Sequence, residues 1–227
     1  LDGSTEVDES GDTDTFTVVL DAQPTSDVVI TITSSDTGEA TVTSTLTFTP
    51  ANWDTPQVAT ITGVDDDIID GSQTSTITVS IDDANSDDDF DAIADQTVSV
   101  STTDDDVAGF TVAETEGSTG VDESGTTDII TVVLNAQPAS DVVMAISSSD
   151  ASETAVNGST ANNNSLTFTS ANWDTPQSFT VTGVDDDLVD GTVNSILTIS
   201  VVDALSDNGF DAVADQTVTA STTDDDV

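Results

Sequence analysis

The residues able to do chemistry in this chain are almost all of one kind. GVDDDIIDG at 63–71 returns as GVDDDLVDG at 183–191, and STTDDDV at 101–107 returns at 221–227. Four runs of three adjacent aspartates therefore form two matched pairs. Adjacent carboxylates repel one another, take up protons, or bind a hard cation through oxygen. The chain has 45 Asp and Glu, no Lys, Arg or His, and a formal net charge of -45. No carboxylate can meet a cationic side chain of its own molecule, so each faces water, a cation from solution, or a proton.

That charge excludes whole classes of partner. Nucleic acid and anionic membrane both require Lys and Arg to neutralise phosphate. An active site is hard to assemble without His, Cys, Lys, Arg or Tyr, the usual bases, nucleophiles and oxyanion stabilisers. A glycosidase needs two carboxylates, one kept protonated by an apolar pocket, and adjacent aspartates in polar loops favour the opposite. The reading is that this is not an enzyme. With no Cys there are no disulfides, and with no Lys there is no Lys–Asn isopeptide link. No apolar run reaches the roughly 18 residues of a membrane span.

The elements that position these carboxylates are strands. Apolar residues make up 35% of the chain and fall in short alternating runs such as TFTVVL (15–20), DVVITIT (27–33), VATITGV (58–64) and STITVSI (75–81). Period-two alternation in Thr, Val and Ile, bounded by Gly, Pro, Asp and Asn, predicts half-buried strands. This separates the chain from a disordered acidic tail.

The chain is also a repeat. VDESG at 7–11 and TVVLDAQPTSDVV at 17–29 return 114 positions later, while LTFTPANWDTPQ at 46–57 and everything after it return 120 positions later. The inserted residues fall in the polar stretch NGSTANNNS, expected to be a longer loop. A period of this length is one β-sandwich module. The expected domains are 1–107 and 108–227, the first lacking the opening strand AGFTVAE that the second carries at 108–114. Neither end of the sequence supplies that strand, and the chain reads as a window from a longer tandem array.

Strands are expected in the second module at 109–113, 128–134, 142–147, 166–169, 178–183, 193–201 and 216–222. If successive strands run antiparallel, alternate loops share one end of the sandwich. That end collects Glu123, Asp150, Asp185, Asp186, Asp187, Asp190, Asp224, Asp225 and Asp226. In the first module it collects Glu9, Asp36, Asp65, Asp66, Asp67, Asp70, Asp104, Asp105 and Asp106.

A patch of about six carboxylates holds about fifteen like-charge pairs, and a close pair at about 4 Å costs roughly 1 kcal/mol even in water. The sum approaches the roughly 5–15 kcal/mol by which a domain is stable. A compensating cation is expected, and six to eight oxygen ligands suit Ca²⁺ better than Mg²⁺, or than Zn²⁺ with its preference for His and Cys. No EF-hand frame exists around 65–70, and DDANSDDDF at 82–90 lacks its Gly and terminal Glu. The site is assembled from separate loops. Asp87–Asp89, read as Asp207, Asn208 and Gly209 in the second copy, are treated as a turn.

The motifs VDESG, VVLxAQPxSDVV, LTFTxANWDTPQ, TGVDDD and TTDDDVAGF together resemble the Calx-beta repeat of sodium–calcium exchangers and, more closely, its bacterial relatives in secreted adhesins. The resemblance implies an all-β fold of two tandem immunoglobulin-like Greek-key β-sandwich modules, about seven strands each. It also implies a calcium cluster whose ligands match Glu9, Asp36, Asp65, Asp66, the backbone of Ile68, Asp70 and Asp104–Asp106. Leu188 is the second-copy counterpart of Ile68. The exchanger loop stays acidic where this chain has Gly71 and Ser72, which implies fewer ligands here.

Two readings of the aspartate runs stand side by side: a Ca²⁺ site, and the solvated acidic surface of a salt-adapted protein. Trp53 and Trp173 are read as wedges closing the core rather than sugar platforms. Asn157 and Asn163 each begin an N-x-S sequon in the extended loop. The expectation is a Ca²⁺-rigidified structural repeat in a secreted, extracellular or cell-surface protein. Its partners are neighbouring repeats of the same chain or fibre, and the alternatives are a calcium-responsive or glycan-binding module.

Overall fold

Alternation of Thr, Val and Ile becomes strand pairing in the computed structural model, which describes residues 5–158 and 164–226. The chain divides into two compact units, one of Leu1–Asp66 and Asp70–Asp105, the other of Asp67–Ile69 and Asp106–Val227.

In unit one the strands are β1 (Thr5–Asp8), β2 (Thr13–Val18), β3 (Val28–Ser34), β4 (Ala40–Val42), β5 (Thr45–Phe48), β6 (Gln57–Gly63), β7 (Gln73–Ile81) and β8 (Gln96–Thr103). They form a five-stranded sheet, β1-β8-β7-β3-β5, and a three-stranded sheet, β2-β6-β4. Unit two repeats this with β9 (Phe110–Glu114), β10 (Thr119–Asp122), β11 (Thr127–Leu134), β12 (Val142–Ser148), β13 (Thr154–Gly158), β14 (Ser165–Phe168), β15 (Gln177–Gly183), β16 (Val193–Val201) and β17 (Gln216–Thr223). Its sheets are β10-β17-β16-β12-β14 and β13-β15-β11-β9, the last strand having no counterpart among the described residues of unit one.

Each unit is a sandwich because the alternate residues of both sheets share one core. In unit one Phe16, Ala59 and Ile61 from one sheet pack with Val28, Ile30 and Ile77 from the other. Ile130, Phe179 and Val181 meet Met144, Leu197 and Ile199 in unit two. Trp53 and Trp173 lie against these cores, and their carbonyls accept from the N–H groups of Leu20 and Leu134. No helix among the described residues is long and apolar enough to cross a membrane.

Among the described residues of the second unit, nine strands stand where sequence patterning gives seven. The additions are β10 and β13, matched by β1 and β4 in unit one. Both are short segments whose strand character comes from a neighbour rather than from alternation. TGVD at β10 contains a glycine and reads as a turn, yet it lies parallel to β17 with Asp122 opposite Thr223. β13 occupies the start of the stretch expected to be a long loop, pairing Asn157 with Thr180 of β15. Asn163 lies outside the described residues.

The triplet Asp87–Asp89 has a structural task in the connection from β7 to β8. Asp87 is buried, and its carboxylate accepts from the Thr25 N–H at 2.6 Å, the Thr25 hydroxyl at 2.7 Å, the Ser26 N–H at 3.0 Å and the Asp89 N–H at 3.1 Å. These bonds, led by the Thr25 hydroxyl, hold its pKa down at about 2. Asp207 repeats the arrangement with Ser140 and Gly209. Desolvation pushes its pKa up, but the hydrogen bonds outweigh it and the pKa falls below the usual range.

A carboxylate with a depressed folded pKa stabilises the fold above its unfolded value, about 3.9, and loses that effect as pH falls through the folded value. Asp87→Ala should therefore lower the melting temperature near pH 7 by on the order of 5 °C. The gap to the parent should close between about pH 4 and pH 2. Thermal scans across that range would show an unchanging gap if the carboxylate were not the cause.

Candidate metal centre

Two close approaches build the acidic end of each unit. A Cβ on Gly63 would stand 2.1 Å from the Asp8 carbonyl oxygen, and one on Gly183 equally close to that of Asp122. Only glycine lets the end of β1 or β10 pass directly under the start of the GVDDD loop. Parallel pairing then sets the neighbour of each glutamate. Asp8 lies opposite Thr103, the Glu9 N–H donates to the Thr103 carbonyl at 3.1 Å, and the Glu123 N–H donates to Thr223 at 3.0 Å. Glu9 is thus set beside Asp104, and Glu123 beside Asp224.

A third loop is tied in by the Val64 N–H, which donates to the Glu39 carbonyl at 2.9 Å, as Val184 does to Glu153. The GVDDD loop closes back through glycines at positive φ, Gly71 (+72°) and Gly191 (+80°), whose N–H groups each donate to the Asp104 or Asp224 carboxylate at 2.8 Å. Beneath lies a layer of buried hydroxyls. Thr102 and Thr222 donate to the carbonyls of Glu39 and Glu153, and Thr154 bonds Ser195 at 3.2 Å and Thr222 at 2.9 Å.

The result is desolvated negative charge. Glu9 and Glu123 are each 1% exposed, and Glu39 and Glu153 are also buried. In unit one, ligand oxygens of Glu9, Glu39 and Asp70 lie within 4.8 Å of one another; in unit two those of Glu123, Asp224 and Asp226 do. One buried oxygen of Glu9, Glu39, Glu153 and Asp226, and both of Glu123, have no hydrogen-bond partner. Burial is the main reason that Glu9 is pushed up to about 7, with Asp66, Asp104, Glu39 and Asp70 adding repulsion. Glu123 is likewise pushed up to about 7 by burial, then by Asp224, Asp186, Glu153 and Asp190. Glu39 and Glu153 are raised for the same first reason.

The aspartates of each triplet do not behave alike, and their exposure alternates along the run. Asp66, Asp104 and Asp106 are half-buried, while Asp65, Asp67 and Asp105 are exposed. Asp186, Asp224 and Asp226 match the first set, and Asp185, Asp187 and Asp225 the second. Asp70 and Asp190 are exposed but adjoin the buried glutamates electrostatically. Ile68 is half-buried. Leu188 is exposed, and its N–H donates to Asp186 at 2.7 Å.

Asp36 and Asp150 serve the loop locally. Asp36 accepts from the Gly38 N–H at 2.9 Å, and Asp150 from the Ser152 N–H at 3.1 Å and hydroxyl at 2.6 Å. Both also add repulsion to the buried glutamates three residues on, Glu39 and Glu153, which sequence reasoning missed. A signal was available. The chain has seven glutamates, and only those at 9/123 and 39/153 recur at matching positions of both copies.

No protein-family model matches the chain, and no curated protein does. Similar solved structures include the calcium binding domain CBD12 of CALX1.1, at 16% identity and TM-score 0.35, covering 88% of this chain and 78% of that one. Domains 4 and 5 of the S-layer protein SbsC match at 13% identity and TM-score 0.36, covering 86% and 70%. Domains 1–6 of SbsC match at 13% identity and TM-score 0.40, covering 86% and 20%.

The donor set fits a hard divalent cation. Every candidate ligand is oxygen, several are desolvated, and orphaned carboxylate oxygens are the groups such an ion satisfies. Without a cation, the raised glutamates make the folded state hold protons that the unfolded chain has released. Stability then falls as pH rises from the unfolded value of 4.5 toward the folded value of about 7. The melting temperature of chelator-treated protein should decline over this window, and Glu9→Gln with Glu123→Gln should flatten the decline. A melting temperature that rises across the window in chelator would contradict the assignment.

Proposed function

We propose that the chain is a structural tandem repeat whose acidic ends bind Ca²⁺, forming an extended segment of a secreted or cell-surface protein. The carrying observation is that both units place buried, unpartnered glutamate oxygens at the same point of the fold. In this reading Glu9, Glu39, Asp66, Asp70 and Asp104 hold the ion in unit one, with Glu123, Glu153, Asp186, Asp190, Asp224 and Asp226 in unit two. The cation's charge offsets the mutual repulsion and takes up the lone pairs that burial has left unsatisfied. The exposed members of the triplets, Asp65, Asp67, Asp105 and their counterparts, bind water and diffuse cations.

The mechanical unit of this proposal is the repeat, 1–107 and 108–227, each an immunoglobulin-like Greek-key sandwich. The triplet Asp104–Asp106 runs into Phe110 of β9 through only a few residues. A cation held at that triplet would stiffen the passage from one repeat to the next. Neighbouring repeats are then the partners, and repetition sets length. Extracellular modules bind calcium at about 10⁻⁴–10⁻³ M, so millimolar calcium fills about half to nine tenths of such sites and tight binding is not needed.

Thermal melting in calcium, in chelator and in chelator with molar NaCl tests the metal. Calcium should raise the melting temperature by on the order of 10 °C over chelator at fixed ionic strength. Glu39→Gln with Glu153→Gln should remove most of that rise. Equal melting in calcium and chelator would sink the proposal, and full rescue by NaCl alone would establish the salt-adapted surface instead. Solution scattering tests the stiffening: a maximum dimension and flexibility indifferent to calcium would refute it.

A further inference from the structure

In unit two the chain changes sheets between β9 and β10, and the crossing leaves part of a sheet edge uncovered. β9 belongs to the sheet of β11 and β15, β10 to that of β17 and β16. The switch is made by the tight turn Thr115–Gly117, where Glu116 and Gly117 stand at φ +60° and +79°. β10 then runs parallel to β17 from Thr119, opposite Ala220, to Asp122, opposite Thr223. The first half of β17, Gln216–Thr219, lies outside that pairing.

The neighbours of β17 fix which way its main chain faces there. The Ile196 N–H donates to the Ser149 hydroxyl at 2.8 Å, and its carbonyl accepts from the Ser149 N–H at 2.9 Å. Both groups of Ile196 therefore point toward the β12 side and away from β17. Thr219 stands opposite Ile196, so this is a non-hydrogen-bonded pair and the N–H and C=O of Thr219 face the open edge. Direction alternates along a strand, so Thr217 faces the same way. Thr223 has the same sense, its carbonyl on that edge accepting from the Glu123 N–H.

A cavity of about 480 Å³ adjoins this half-edge, and its walls include Val112, Glu114, Gly117, Ser118 and Val218. Two outward-facing main-chain pairs beside a cavity are a template for one more strand. Charge selects the occupant. Glu114 lines the cavity, Glu116 stands in the turn and Asp215 directly precedes Gln216. A second copy of this chain, with no cationic side chain, would bring only further carboxylates against them.

We propose that the half-edge Gln216–Thr219 is a docking lane for an extended segment of another protein that carries Lys or Arg. The segment's main chain pairs with Thr217 and Thr219, an apolar side chain meets Val112 and Val218, and its cation meets Glu114. Main-chain pairing supplies affinity and the cation supplies specificity. The lane lies at the other end of β17 from Asp224, so it does not depend on whether the acidic end holds Ca²⁺.

The test uses the whole chain and a labelled synthetic peptide, Lys-Val-Thr-Val-Lys with blocked ends, at about 0.15 M salt. Binding is read by anisotropy and located by amide hydrogen exchange. Saturable binding with new protection at Thr217 and Thr219 is expected. The same peptide with methylated backbone nitrogens keeps its charge but cannot donate, and should bind roughly tenfold or more weakly. Thr217→Pro removes an edge N–H that β16 does not use and should weaken binding roughly fivefold. Glu114→Gln, which leaves the backbone untouched, should weaken it roughly threefold. Equal binding of the methylated peptide would reduce the attraction to bulk charge and overturn the proposal, as would equal binding of Glu-Val-Thr-Val-Glu or protection confined to other strands. Self-association of the chain that protects the same two amides would place a second copy in the lane and refute the assignment.

Discussion

Like charges drawn out of water at one end of each sandwich are the constraint to which the rest of this structure answers. Glu9, Glu39, Glu123 and Glu153 are buried without a cationic side chain anywhere in the sequence to meet them. Burying an unpaired carboxylate is among the costliest things a fold can do. The fold nevertheless supplies a dedicated apparatus for it. β1 and β10 exist as parallel edge strands that deliver a glutamate, Gly63 and Gly183 give up a side chain so that those strands can pass, and Thr102 and Thr222 floor the cluster with hydroxyls. None of these makes the glutamates cheaper to bury as anions. They make the arrangement reproducible, which is what a cation site requires and a solvated surface does not.

The same residue class is used in the opposite way around the β7–β8 connection. Asp87 is buried like the glutamates, yet its pKa goes down, because backbone N–H groups and a hydroxyl are aimed at it. In a chain without Lys, Arg or His, N–H and O–H dipoles are the internal donors that can stabilise a carboxylate. Asp150 and Asp224 also receive them, and hydrogen bonding holds their pKa values below the usual carboxylate range. The orphaned glutamate oxygens are those to which no donor has been assigned. Donor supply, rather than burial alone, separates Asp87 from the orphaned glutamates.

Much of this was legible in the sequence because strand period and loop parity are local rules. All seven strands expected in the second module are present within a residue or two, and carboxylates from separate loops do meet, as Glu123 and Asp224 show. What escaped were features set by a partner in space. TGVD at 119–122 is a strand only because β17 runs alongside it, and so Glu123 opens the turn directly after a strand paired with β17. Glu39 and Glu153 look like ordinary turn residues in TGEA and SETA, since nothing nearby in sequence says that Val64 or Val184 will dock there. Within each triplet, composition cannot tell which aspartate is half-buried and which exposed; the path of the loop decides that.

The repeat turns such omissions into a measurement, because each copy is a reference for the other. Val18 and Val132 share a sequence context, TVVL, and a place in the sheet, and they differ in exposure because β9 covers one of them. The apolar face of β2 was therefore specified for a neighbour, and its alternation is readable from sequence without revealing that the neighbour is a strand. The acidic end behaves in the same manner. Its glutamates are buried in a geometry repeated to the residue, and the pattern specifies a neighbour that is not a side chain. At the acidic end the chain encodes one half of a site, an oxygen cage. Repetition of the half in two copies separates a built site from an accident of packing.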